Sequence, residues 1–133
     1  MKCNMDYNSL AKAGSMLGAG SVIVMDETTC MVRALARLAL FYYEESCGQC
    51  PPCREGTGWL SRTVQRIESG QGRAEDLRLL VDVANKIEGH TICGLGDAAA
   101  WPVQSFIKYF HDEFAYHVEH GRCMVDGARH QAA

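Results

Sequence analysis

Three cysteines follow one another at intervals of three residues in the segment ESCGQCPPCREG, at Cys47, Cys50 and Cys53. A C-x-x-C pair is typical of zinc, redox or iron–sulfur chemistry, and a third thiol at the same interval narrows the choice. Such a loop can place a thiolate on three iron corners of a cubane cluster, and the fourth iron needs one more ligand. The chain is therefore expected to fold so that a fourth ligand reaches this loop.

Cys93 is the candidate for that fourth ligand. In the compact ferredoxin pattern another cysteine follows after three residues, but Thr57 occupies that position here. Cys93 lies forty residues after Cys53, in the glycine-bounded segment EGHTICGLGD. If the two predicted helices between them form an antiparallel hairpin, the chain returns to the end at which it left Cys53. Beside Cys93, His90 and Thr91 are expected to form hydrogen bonds around the site. The predicted metal ligands are Cys47, Cys50, Cys53 and Cys93.

The other residues of these loops fit a [4Fe–4S] cluster. Gly48 and Gly94 let backbone N–H groups approach sulfur atoms, Pro51 and Pro52 stiffen the loop, and Arg54 can offset part of the negative charge. Structural zinc is the main alternative, because four thiolates also suit that ion. Zinc sites usually use two separated C-x-x-C pairs, so a division into three and one is less typical. Free or redox-active thiols are the remaining alternative.

The other cysteines and the histidines of the last helix are not predicted to be ligands. Cys30 is expected to be a small core or boundary residue at the start of the first helix. Cys3 and Cys123 match no ligand spacing. His117 and His120 are three residues apart and could chelate weakly, but this pattern is more typical of a solvated helix face.

Composition indicates an ordinary globular protein of 133 residues with a formal net charge of −3. That charge gives no reason to expect nucleic acid as a partner. No apolar run approaches the ~20 residues that span a bilayer, so no direct membrane insertion is expected. Seven cysteines without an export signal favour a reducing, cytoplasmic location over a disulfide framework.

Hydrophobic periodicity predicts a mainly α fold, a four-helix bundle carrying an iron–sulfur cluster, with a short N-terminal α/β remnant. Asp26, Thr28 or Thr29 can cap the first helix, and Pro102 is expected in the first turn of the fourth. The run SVIVMD, residues 21–26, predicts a strand without a partner in the chain, which favours a piece of a longer protein. The expected divisions are 1–27 (remnant of a preceding α/β domain, a loop plus one strand), 28–121 (four-helix cluster-binding domain) and 122–133 (C-terminal tail).

Three segments together resemble the NADH-binding flavoprotein subunit of respiratory NADH:quinone oxidoreductase (complex I): GSVIVMDETTCMV, ESCGQCPPCREGTGW and IEGHTICGLGDAAAWPVQSF. The resemblance extends from about Met5 to His120 and corresponds to the C-terminal third of such a subunit. It implies a four-helix domain with one [4Fe–4S] cluster, and it carries the cluster ligands onto the four cysteines named above. In that family the cluster takes electrons that NADH has delivered to flavin mononucleotide, and they pass on toward quinone.

The resemblance also implies what this chain lacks. The flavin- and NADH-binding half precedes this region in the family, so FMN and NAD are expected only in the intact subunit, and the fragment alone is expected not to be catalytic. The implied partners are that N-terminal domain and the other subunits of the parent complex, whose peripheral arm lies at the inner face of the membrane. NAD-linked hydrogenases and formate dehydrogenases use similar subunits and are alternative parents. A zinc-stapled or metal-free helical docking module is the alternative from another functional class.

Overall fold

A computed structural model describes residues 3–125, and this part of the chain is mainly α-helical, as predicted. No strand occurs within those residues, and none of their helices is both long and apolar enough to cross a membrane. Most of the predicted C-terminal tail, 126–133, lies outside the described residues. The helices are α1 Tyr7–Lys12, α2 Met31–Glu44, α3 Pro51–Glu68, α4 Asp76–Ile87, α5 Leu95–Tyr109 and α6 His111–His120.

The four longest helices surround a shared apolar core. α2 packs against α3 and α5, and α4 also packs against α3 and α5. Short connections between these helices place sequence neighbours side by side. Side chains with almost no exposed surface fill the space between them: Val32, Leu35, Val64, Ile67, Leu80, Ala84, Ile87, Ala100, Val103 and Phe114.

The start of α2 differs from the sequence prediction. The N-cap residue is Cys30, whose Sγ accepts a hydrogen bond from the Arg33 N–H at 3.4 Å. Asp26 instead accepts from the Thr28 N–H at 3.0 Å and organises the turn before the helix. Cys30 packs against the core and is only 3% exposed. This burial places its thiol, and not a hydroxyl or carboxylate, at the N-cap position.

The predicted fourth helix is two helices, and Pro102 is not in a first turn. α5 begins at Leu95 and contains Pro102 in its interior. The helix is interrupted at Phe110, which has non-helical dihedral angles (φ −123°, ψ 27°), and α6 begins at the next residue. The Ser105 hydroxyl donates to the Trp101 carbonyl at 2.8 Å, one turn back along the same helix. Burial of Ala99, Ala100 and Val103 on one face outweighs the local cost of the proline.

The strand predicted from SVIVMD is not formed in the described chain. Residues 21–26 have no regular secondary structure, and Val22, Ile23 and Val24 are 71%, 76% and 89% exposed. The backbone groups of a strand need a neighbouring strand, and the described residues provide none. The short helix α1 precedes this segment and buries no residue.

Candidate metal centre

The cysteine triple lies at the N-terminus of α3. Cys50 is its N-cap, and Pro51 and Pro52 occupy the first helical positions, where a missing N–H costs no hydrogen bond. Cys53 therefore falls within the first turn and is buried, whereas Cys47 is exposed. The prolines thus start a helix, in addition to stiffening the loop, and they fix the direction in which the loop enters it.

Side-chain hydrogen bonds stabilise the loop between α2 and α3. The Ser46 Oγ lies 3.2 Å from the Cys53 Sγ and accepts from the Gly48 N–H at 3.3 Å. Arg54 donates from Nη1 to the Gly48 carbonyl at 2.9 Å. Gly48 has a φ of +76°, a conformation that strains other residues. Arg54 therefore holds the loop by a hydrogen bond, and its Nε forms an ion pair with the Glu55 carboxylate at 3.1 Å.

The loop that carries Cys93 contacts the loop that carries the triple. The Ile92 N–H donates to the Cys50 Sγ at 3.4 Å, across 42 residues of sequence. The backbone N–H that reaches this sulfur thus comes from Ile92, and the Gly48 N–H bonds to a hydroxyl instead. Cys93 is exposed next to this contact. The structure thereby brings the two cysteine-bearing loops to the same end of the helices.

Close packing shapes the Cys93 loop. The Thr91 hydroxyl donates to the Cys93 carbonyl at 2.9 Å, as expected of a residue that supports the site. A Cβ on Gly96 would clash with that hydroxyl oxygen, so only glycine allows the loop to fold this close to α5. The His90 Nδ1 lies 2.7 Å from the Glu88 carbonyl oxygen and contacts no predicted ligand through this bond.

Two helix N-termini lie beside the predicted ligands. Cys50 caps α3, and Cys93 immediately precedes Gly94, the N-cap of α5. The positive end of a helix dipole favours thiolate over thiol and stabilises anions. A cluster held by four thiolates carries negative charge, so both helix ends favour such a group electrostatically. The cysteine donor set and its surroundings fit an iron–sulfur cluster.

Zinc and a cubane require different distances between the ligand sulfurs. Among residues 3–125, no three of the four predicted ligands have sulfurs that all lie within 4.8 Å of one another. Four thiolates on one tetrahedral zinc ion stand about 3.8 Å apart, given a Zn–S bond of about 2.3 Å. A cubane separates its thiolates further, because each binds a different iron.

A second group of ligand atoms occurs elsewhere in the molecule, and the sequence did not indicate it. Cys30, His117 and Cys123 have one ligand atom each, all within 4.8 Å of one another. Cys30 and His117 are 87 positions apart, so no spacing motif joins them. The interpretation of His117 as a solvated residue was wrong, because its side chain is 1% exposed.

Known proteins are similar to this chain across the same region. Residues 33–117 match the family model of the NADH-ubiquinone oxidoreductase-F iron-sulfur binding region. The NADH-quinone oxidoreductase F subunit of Rickettsia bellii is 52% identical over 116 residues, covering 87% of this chain and 28% of the relative. The corresponding F subunit of Mycobacterium tuberculosis is 51% identical over 122 residues, covering 92% of this chain and 27% of the relative.

A solved structure has the same fold in this region. An NAD+-reducing [NiFe]-hydrogenase in the H2-reduced state superposes with a TM-score of 0.68 and 30% sequence identity, covering 71% of this chain and 17% of that one. The chain thus spans only about a quarter of the length of the NADH-quinone oxidoreductase relatives it matches. Since the family model covers more than half of its 133 residues, this chain belongs to the family of NADH-ubiquinone oxidoreductase-F iron–sulfur binding regions.

Proposed function

We propose that this chain holds one [4Fe–4S] cluster through Cys47, Cys50, Cys53 and Cys93 and serves as a one-electron relay in an NADH dehydrogenase. The observation that carries the proposal is the hydrogen bond from the Ile92 N–H to the Cys50 Sγ at 3.4 Å. This contact unites two cysteine loops that are distant in sequence. It supports a shared site for all four thiols.

When bound, the cluster supplies reversible one-electron transfer. The residues of this chain hold and surround it. Cys53 would hold it from a buried position, and Cys47 and Cys93 would hold it from exposed positions that a partner could approach. The N–H of Ile92 and the hydroxyl of Ser46 can donate to ligand sulfurs, which stabilises the anionic group.

The source and destination of the electrons belong to the intact protein. The names of the relatives refer to NADH and quinone, and this chain covers 28% of one such protein. We propose that NADH and a flavin act in the part of the subunit outside this sequence and that other subunits of the complex receive the electron. The similarity to an NAD+-reducing hydrogenase keeps that type of complex as the alternative parent.

A zinc-stapled docking module is the second candidate for the cysteine site. Four thiolates also suit a zinc ion, which would need their sulfurs about 3.8 Å apart, whereas a cubane needs them further apart. A protein with iron–sulfur chemistry also absorbs visible light, whereas a zinc protein is colourless. The two candidates are therefore distinguished by metal analysis.

The test is a series of serine variants of the anaerobically purified chain. Cys93→Ser should lower iron and acid-labile sulfide per chain as much as Cys50→Ser, because both thiols bind the same cluster. Cys3→Ser is the matched control, since Cys3 is an exposed cysteine outside the proposed site, and its iron content should equal that of the parent. Full iron and sulfide in Cys93→Ser would exclude Cys93 as the fourth ligand. Zinc without sulfide at the four cysteines of the parent would favour the docking module.

A further inference from the structure

Cys30, His117 and Cys123 form a compact group of ligand atoms far from the proposed iron–sulfur site. Cys30 caps the start of α2, whereas the cysteine triple follows the end of that helix. The 14 residues of α2 separate the two sites by about 20 Å, at 1.5 Å per residue. His117 projects from the last turn of α6, and Cys123 follows that helix.

The distances match the edges of a coordination tetrahedron. Zn–S bonds of about 2.3 Å and Zn–N bonds of about 2.0–2.1 Å give a sulfur–nitrogen edge of about 3.6 Å. The Cys30 Sγ and the His117 Nε2 are 3.6 Å apart. The Cys123 Sγ lies within 4.8 Å of both atoms. A small movement of side chains would therefore place all three ligand atoms at corners of one coordination tetrahedron.

The orientation of His117 suits a metal ligand. Its Nδ1 lies 2.9 Å from the Glu113 carbonyl oxygen, which can only accept, so Nδ1 carries the proton. Nε2 then presents its lone pair toward Cys30. A backbone carbonyl that fixes the tautomer in this way is the usual partner of a metal-bound histidine. The ring is also held in place, because the Glu113 carboxylate accepts from the Met31 N–H at 2.9 Å and ties α6 to α2.

A backbone N–H group points at each of the two sulfur atoms. The Arg33 N–H points at the Cys30 Sγ at 3.4 Å, and the Val125 N–H points at the Cys123 Sγ at 3.3 Å. Cys30 also sits at the positive end of the α2 dipole. These hydrogen bonds help to fix the positions of the two sulfur atoms beside the His117 ring.

We propose that Cys30, His117 and Cys123 bind one Zn²⁺ ion, with solvent in the fourth position on the side of Cys123. Two thiolates and an imidazole are the donor set that this ion prefers. The ion ties the start of α2 to the end of α6 and to the chain that follows it. The site is independent of the iron–sulfur proposal and serves to fasten the end of the fold opposite to that cluster.

The test measures zinc and iron in the same samples of the complete chain. The parent should bind about one zinc ion in addition to its iron, and zinc-edge X-ray absorption should show two sulfur ligands and at least one imidazole nitrogen. Cys123→Ser should weaken zinc binding at least about tenfold, measured by competition with a chromophoric chelator, while its iron and sulfide stay at the parent level. His117→Gln should weaken it similarly.

Two control variants separate this site from the cysteine loops. Cys50→Ser should lose iron and keep zinc, and Cys3→Ser should keep both metals. Cys123 lies at the edge of the core, at 9% exposure, so its serine variant should retain the parent's helical circular dichroism. Failure of the parent to bind zinc when titrated with the metal alone would overturn the proposal. Unchanged zinc affinity in folded Cys123→Ser, or loss of zinc in Cys50→Ser, would overturn it as well.

Discussion

At the scale of single residues, Asp76 is a buried carboxylate that joins α3 to α4. Arg66 donates two hydrogen bonds to it, one of them from Nε at 3.0 Å, and the Arg73 N–H donates a third at 2.9 Å. Burial raises the pKa of Asp76, but these hydrogen bonds and the charges of the two arginines outweigh it and hold the pKa below its ordinary value. Folding therefore favours the ionised form of Asp76.

This shift predicts how the stability of an Asp76→Asn variant depends on pH. The depressed pKa contributes stability that is present above the unfolded value of about 3.9 and is lost as pH falls through the lower folded value. At pH 7 the variant should be about 2 kcal/mol less stable than the parent, because a buried charged hydrogen-bond network is broken. The difference should shrink as the pH falls below the unfolded value, and urea unfolding at several pH values measures it.

Asp82→Asn is the control for this prediction. Asp82 is on the same helix but is half-exposed, and its ion pair with Lys86 lies on the surface. Its variant should differ from the parent by less than about 0.5 kcal/mol, with little dependence on pH. An Asp76→Asn variant with a pH-independent deficit would show that its effect is one of shape and not of charge.

At the scale of elements, the ends of α3 and α6 meet through backbone alone. Gly70 follows α3 with a φ of +79°, and a Cβ at this position would clash with the Gly121 carbonyl oxygen. Gly121 itself ends α6 in the left-handed conformation. The two helix termini can approach this closely because Gly70 carries no side chain, and both glycines adopt the left-handed conformation without strain.

Gly70→Ala should therefore destabilise the fold for two reasons. The left-handed conformation costs alanine about 1 kcal/mol, and the clash with a backbone atom forces the two helix ends apart at a further cost of about 1–3 kcal/mol. Gly89→Ala is the matched control, because Gly89 follows α4 with a φ of +71° and a Cβ added there would meet no neighbouring atom within 4 Å. Thermal unfolding should show a clearly larger loss for Gly70→Ala. Equal losses would indicate that the contact with α6 carries no energetic weight.

At the scale of the whole molecule, the chain combines a well-packed helical core with an apolar segment that nothing in the described structure covers. Val22, Ile23 and Val24 are mostly exposed, and an extended apolar segment with unpaired backbone groups tends to associate with other chains. The core does not involve this segment. A substitution in this segment should thus change the self-association of the chain without changing the stability of its helical core.

Ile23→Lys should reduce self-association of the isolated chain and leave its unfolding temperature unchanged. Lysine disfavours strand pairing between chains, and the substituted side chain makes no core contact. Analytical ultracentrifugation across a range of concentrations, together with thermal unfolding, provides the measurement. Asn8→Lys, an exposed change on α1 that adds the same charge, controls for a general effect of charge. A lowered unfolding temperature in Ile23→Lys would mean that the segment packs on the helices.

The amino-acid sequence by itself determined the features that depend on local spacing. The 3.6-residue period of the apolar side chains predicts a mainly α protein, and the interval of the cysteines predicts clustered thiols. Both patterns can be recognised from residues that are close together in the sequence. The proposed ligand set of Cys47, Cys50, Cys53 and Cys93 also came from the sequence and awaits the serine series.

Only the tertiary structure decided the features that depend on distant residues. Burial of one face extends α5 through Pro102, and the absence of a neighbouring strand in the described chain leaves residues 21–26 without strand structure. The grouping of Cys30, His117 and Cys123 arises where the start of α2 meets the end of α6, which no local pattern encodes. Contacts between residues more than eighty positions apart depend on how the helices pack. That packing depends on the side chains of the entire core and not on any single segment.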